Sequence, residues 1–329
     1  MKRFLIFLSV LCITVQALAQ PAPGSFQQTW AKGPQWLENA VIYQVYPSSY
    51  KDSDGNGIGD IPGVLSKIDY IESLGVGVIW FNPLFVSGWI DGGYDVKDYY
   101  KVDPRFGTNS DMVKLRYSWT LSQATLRWTI PASTRGWTAS AWIWQTVLSK
   151  KDKDKKGILS FWREIRSWMD SEFPDHVLMA EWGDPKYCLA AGFNVDMYLN
   201  AAGRSNTVRK MYFDHKHQAD GGCYFSLDGC RPSLKDLYGN PWPEDQIDAG
   251  ISAADALKKY YDYYGDAIEW TKDMGYFASI TGNHDHLRFN TGARNNPQQL
   301  KVALAWILTQ QLPILYYGDE IGIRSLADL

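Results

Sequence analysis

The sequence predicts a parallel α/β fold, and three observations carry that prediction. Short β-rich runs alternate with helical patterns. One of those runs, residues 76–81 (VGVIWF), is apolar throughout, as a strand buried on both faces of a sheet requires. Polar residues gather just after the strands, and carboxyl-end clustering of that kind favours a barrel with its site on that face.

The elements follow in order. Residues 41–46 (VIYQVY) form a β-rich run, and a polar loop leads to Pro62. Leu65, Ile68, Ile71 and Leu74 then recur at helical spacing up to Gly75, which predicts one helix with proline at its start and glycine at its end. The strand 76–81 completes a strand, helix, strand unit. The alternation returns at 158–173, where Ile158, Phe161, Trp162, Ile165, Trp168 and Met169 share one helical face, followed by a strand at 176–180 (HVLMA) that ends at Glu181. A strand at 276–281, a helix at 298–310 and a strand at 313–317 (PILYY) close the series. The charged run 150–156 reads as a solvated turn. No internal repeat or low-complexity linker interrupts the chain.

Composition narrows the function. With 33 Lys plus Arg against 36 Asp plus Glu in 329 residues the net charge is −3, so there is no basic footprint for nucleic acid. A hydrophobic share of 45% excludes a disordered chain. Met1, Lys2 and Arg3, an apolar run over 4–15 and the Ala17-Leu18-Ala19 site form the pattern of a secretory signal peptide at 1–19, ahead of a domain at 20–329. An exported protein, periplasmic or secreted, is expected. The run is short for a membrane anchor, and no later stretch reaches about 18 uninterrupted apolar residues. Cys188, Cys223 and Cys230 remain after cleavage. Cys223 and Cys230 are candidates for a disulfide across a loop, and with His215 and His217 they are a weaker candidate for zinc.

Two groups of residues carry chemistry. In KDSDGNGIGD, Asp52, Asp54, Asn56, Ile58 and Asp60 stand at alternate positions, with Gly57 for a tight turn. Such a loop can wrap a hard cation, and calcium suits it, although Gly63 stands where an EF-hand loop has its twelfth-position Glu. A plain polar turn is the alternative. Glu181 ends one strand, and Asp285 follows another in Gly282-Asn283-His284-Asp285-His286, with Arg288 close behind. Carboxylates at strand ends can protonate a glycosidic oxygen and stabilise positive charge at the anomeric carbon.

VIYQVYPSSYKDSDGNGIGDIPGV, GVIWFNPLF, GGYDVKDYYKVDPRFGT, LMAEW, GNHDHLR and PILYYGDEIG occur in an order that resembles the α-amylase superfamily, glycoside hydrolase family 13. The resemblance spans 41–115 and 150–322. It implies a (β/α)8 TIM barrel that cleaves or transfers α-glucosidic bonds with retention, on an α-glucan or malto-oligosaccharide substrate. By that resemblance Glu181 is the acid/base, Asp285 the transition-state stabiliser, and His284, Asp95 and Arg288 are substrate contacts. The acidic loop is similar to the calcium loop of many oligosaccharide-acting members.

The pattern breaks in the middle. The family's third-strand motif and its fourth-strand G-F-R-x-D, whose Asp is the nucleophile, are both missing. From Met112 to Lys151 there is no Asp or Glu, where the overall frequency of 36 in 329 would place about four, and five of the 15 Trp fall between Trp119 and Trp144. One choice of synonymous codons for 136–144 (GWTASAWIW), read from its third base, gives Met-Asp-Gly-Phe-Arg-Met-Asp-Met. Residues 115–127 (LRYSWTLSQATLR), in the same offset, give Pro-Val-Phe-Val-Asp-Leu-Val-Pro-Gly-His-Thr-Ser. Residues 115–144 are therefore read as out-of-frame sequence, which leaves the barrel incomplete: strands 3 and 4 are garbled. The closing helix and the β-sandwich that usually follow the eighth strand are also expected to be absent. Without the nucleophile this chain is expected to be inactive. Rival readings are a transglycosylase or isomerase of the same superfamily, a noncatalytic sugar- or partner-binding barrel, and a nonfunctional product.

Overall fold

The computed structural model describes residues 31–122, 141–142, 155–181, 185–198, 253–284, 288–292 and 297–323. The signal segment, most of 115–144, His215, His217, Cys223, Cys230 and Asp285 lie outside the described residues. The chain divides into two compact units, one of Met1–Met197 with Trp270–Phe277 and one of Tyr198–Glu269 with Ala278–Leu329.

The first unit opens with strand β1 (Ile42–Val45), whose four residues are all buried. Helices α1 (Ile61–Leu65) and α2 (Ile68–Ser73) lead to strand β2 (Val78–Phe81), which pairs with β1 in parallel, Ile42 opposite Val78 and Val45 opposite Phe81. The predicted strand, helix, strand unit is present, but its single helix is broken in two. Ser66 Oγ donates to the Gly63 carbonyl at 2.6 Å, and the Lys67 N–H reaches back only to Val64 O at 2.9 Å. Those local bonds replace the helical ladder for one turn.

An antiparallel hairpin follows, β3 (Phe85–Ser87) against β4 (Val96–Val102), and then helix α3 (Asn109–Ser122). The alternation of runs did not foretell the hairpin, because β4 is polar on much of its surface. Further on, β5 (Ala141–Trp142), helix α4 (Lys155–Glu172), β6 (Leu178–Ala180), helix α5 (Pro185–Ala190) and β7 (Val195–Tyr198) build a parallel array in which β6 lies between β5 and β7. Its outer layer is a cluster of Leu159, Trp162, Met169, Leu178, Ala180, Cys188, Leu189 and Phe193. The face predicted for α4 is corrected here: Trp162 is 6% exposed, but Phe161 is 49% and Trp168 44% exposed. The buried stripe runs through Leu159, Trp162, Arg166 and Met169 instead. Arg166 is satisfied inside it by Asp170 at 2.7 Å and by the carbonyls of Gly192 and Ala31 at 2.8 and 3.0 Å. Cys188 is buried and forms no disulfide.

The second unit is built around helix α6 (Ala253–Thr271), strand β8 (Tyr276–Ile280), helix α7 (Phe289–Gly292), helix α8 (Pro297–Leu308) and strand β9 (Leu312–Tyr316), with α6 and β8 each shared at an end with the first unit. β8 and β9 are parallel, Ala278 opposite Leu312 and Ile280 opposite Ile314, and every residue of both is buried. The predicted strand, helix, strand order is thus present. Tyr260 of α6 meets Trp306 of α8 edge to face at 5.2 Å. Among the described residues no helix is long and apolar enough to cross a membrane.

Candidate functional site

The acidic loop is a self-organised turn. Asp52 accepts from the N–H groups of Gly55 at 2.7 Å, Gly57 at 2.8 Å and Asp54 at 3.1 Å. Asp54 accepts from the Asn56 N–H at 3.1 Å, and Asn56 from the Ile58 N–H at 2.8 Å. Gly55 and Gly57 take φ of 82° and 90°, a region that only glycine enters without strain. The N–H groups of Gly57 and Gly55 hold the Asp52 carboxyl below its ordinary pKa, so it stays charged. Asp60 caps α1 through Gly63 N–H at 2.6 Å and accepts from Ser53 Oγ at 2.8 Å. Carboxylate oxygens of Asp52, Asp54 and Asp60 all lie within 4.8 Å of one another. An all-oxygen set of three acids fits a hard divalent cation, because each carboxylate keeps lone pairs beyond the bonds it accepts.

Beyond β2 a chain of hydrogen bonds crosses the strand ends. Gln44 Nε2 donates to Asn82 Oδ1 and Asn82 Nδ2 to Tyr94 Oη, each at 3.0 Å, and Tyr46 Oη donates to Gly92 O at 3.0 Å. The turn so held, 88–95, ends in Asp95, whose carboxylate accepts from the N–H groups of Ile90 and Asp91, both at 3.3 Å. Partial burial pushes the Asp95 pKa up, but backbone N–H groups, those of Ile90 and Asp91 foremost, outweigh it, and the net direction is down.

Glu181 directly follows β6. Leu178 and Ala180 face the outer cluster with α4 and α5, so the alternation of a strand turns Met179 and Glu181 to the other side. Glu181 is half-buried there.

In the second unit, His284 stands four residues past β8. Thr281 and Asn283 between them are buried, and Thr281 is locked to β9 by its N–H to Ile314 O at 3.0 Å and by its Oγ1, which accepts from Tyr316 N–H at 2.9 Å. Arg288 lies over the rings of Tyr316 and Tyr317 at 4.3 and 4.4 Å, donates to Tyr317 O, and is 3.6 Å from the fully buried Asp319. Its guanidinium therefore ties Arg288 to the end of β9 and the residues just beyond it.

Sequence reasoning missed the support beneath the 88–95 turn. Asp103 is buried and accepts from Trp89 Nε1 at 2.8 Å and from Arg105 Nε at 3.1 Å, while the Arg105 guanidinium lies 3.7 Å over the Trp89 ring. The DPRFG stretch carries both supports, but nothing in its spacing points back to Trp89.

Residues 44–121 match the family model described as alpha amylase, catalytic domain. Oligo-1,6-glucosidase of Heyndrickxia coagulans is 48% identical over 81 residues, covering 25% of this chain and 15% of that enzyme. Alpha-glucosidase of Candida albicans is 52% identical over 81 residues, 25% of this chain and 14% of its own. The stretch held in common is thus a small part of either relative. In structure, the alpha-amylase from Geobacillus thermoleovorans complexed with acarbose aligns with a TM-score of 0.56 at 20% identity, over 88% of this chain and 72% of that one. Residues 44–121 are thus similar to the alpha-amylase catalytic domain, and the fold is that of an incomplete (β/α)8 barrel.

Proposed function

We propose that this chain is a glycoside hydrolase by lineage, built for α-glucosidic bonds of starch- or maltodextrin-like oligosaccharides by a retaining mechanism, and that its hydrolytic step is disabled. The family match over 44–121, which includes both the acidic loop and the Asp95 turn, carries the reading. Glu181 at the end of β6 supports it.

In this reading Glu181 protonates the leaving glycosidic oxygen, and Asp285 stabilises the positive charge that grows on the anomeric carbon. His284 donates to sugar hydroxyls and Asp95, held ionised, accepts from them, with Arg288 as a further substrate contact. Retention needs one more group, a carboxylate that attacks the anomeric carbon opposite the leaving oxygen and is later displaced by water, with Glu181 acting as base. The strand beside β6 is β5, Ala141–Trp142, and it lies in the forty-residue stretch that holds no Asp or Glu. No covalent intermediate can then form. Transfer to a sugar acceptor begins with the same attack, so it fails for the same reason.

A structural calcium ion would be held by Asp52, Asp54 and Asp60, with Asn56 and Ile58 completing the loop, and would staple the segment between β1 and α1. The pattern at 1–19 supports export to the periplasm or medium. A noncatalytic sugar-binding role is the second reading, and the missing nucleophile favours it.

The test is the full chain with acarbose in a calorimeter and with maltotriose in a glucose-release assay. Acarbose should bind and no glucose should appear above buffer. Glucose release that disappears in Glu181→Gln would refute the loss of hydrolysis, and absence of acarbose binding would refute the sugar site.

A further inference from the structure

Trp89 has φ of 57°, and it alone among the described non-glycine residues has a positive φ. A bulky residue in the left-handed region is disfavoured by contact between Cβ and the neighbouring carbonyl, and it persists only where its surroundings fix it. Here they do. The indole N–H is bound to the buried carboxylate of Asp103, the ring face is covered by Arg105, Phe106 meets it edge to face at 5.4 Å, and the Trp89 N–H donates to Ser87 Oγ at 3.2 Å.

The consequence lies on the other side of the turn. A left-handed residue turns the N–H groups that follow it into a concavity suited to an anion. Those are Ile90 and Asp91, and both donate to the Asp95 carboxylate. Gly88 makes the arrangement possible, because a Cβ there would collide with Asp95 Oδ2. The Lys97 side chain borders the same spot beside Gly88.

We propose that Trp89, locked by Asp103 and Arg105, is a positioning residue that aims the Asp95 carboxylate at the hydroxyls of a bound α-glucoside. The sugar contact of Asp95 is taken from the function proposed above, whereas the aiming of its carboxylate rests on the geometry alone.

Carbon-13 carboxyl titration of the full chain, labelled at aspartate, separates the two. Asp95 is identified by the signal lost in Asp95→Asn, and Asp52 serves as a reference for an intact fold. In Trp89→Phe, which keeps a ring but loses the indole N–H, the Asp95 midpoint should rise toward the ordinary aspartate value while Asp52 stays in place. Acarbose affinity should fall about tenfold in Trp89→Phe, and Trp89→Phe combined with Asp95→Asn should bind no worse than Asp95→Asn alone. An Asp95 midpoint unchanged in Trp89→Phe overturns the positioning role. A risen midpoint with acarbose affinity unaltered in Asp95→Asn upholds the positioning of the carboxylate and refutes the sugar contact. Asp103→Ala supplies the same test from the other end of the indole hydrogen bond.

Discussion

Gly63 lies so close to the Lys51 carbonyl oxygen that a Cβ would overlap it, and the contact is with backbone, which cannot swing away. Gly63→Ala should therefore destabilise the chain by about 1–3 kcal/mol, the usual cost of overpacking, as read from urea unfolding. Asp103 gives a pH effect whose sign is fixed by its surroundings. Burial pushes its pKa up, but the Trp89 indole and Arg105 more than offset that, so the folded value lies below the ordinary 3.8. A depressed carboxyl contributes stability that is complete above the unfolded value and is lost as pH falls through the folded one. Stability between pH 4 and pH 2 should then fall less steeply in Asp103→Asn than in the parent chain, read from thermal unfolding across that range. Equal slopes would mean that Asp103 titrates as an ordinary exposed carboxyl.

Helix α4 shows how pattern and packing part company. Phe161, Trp162, Trp168 and Met169 all fit one apolar stripe by spacing, yet the structure buries Trp162 against Phe193 at 5.1 Å and leaves Trp168 at the surface. Trp162→Ala should cost about 3–5 kcal/mol and Trp168→Ala under about 1 kcal/mol by denaturant unfolding. The strands were legible in the sequence because short apolar runs rich in branched and aromatic residues, such as 76–81 and 313–317, suit strands buried on both faces. The first helix was legible as apolar spacing but not as two pieces, since the break at Ser66 and Lys67 lies in local hydrogen bonds that leave no periodic trace. Of the candidate site, the turn of the acidic loop was legible because its chemistry is local in the sequence, whereas Asp95 entered only through the family resemblance. The Trp89–Asp103–Arg105 brace was not, because a positive φ on a tryptophan and a hydrogen bond across fourteen residues leave no periodic trace.

For the molecule as a whole, the calcium reading and the catalytic reading can be tested apart. If the acidic loop holds calcium, chelation should lower the melting temperature, calcium should restore it, and Asp52→Ala should remove the response; stabilisation of about 2.7 kcal/mol is expected at a hundredfold excess over Kd. A melting temperature indifferent to chelator would assign the loop to a plain turn. We propose that the nucleophile is missing because residues 115–144 are read in the wrong frame. The most direct test is the nucleotide sequence of independently amplified DNA across codons 110–150. The codons for 136–144, read from the third base, should encode Gly-Phe-Arg followed by a residue and Asp. Codons that encode that motif in neither shifted frame would contradict it, and 115–144 would then be a segment of the protein's own design.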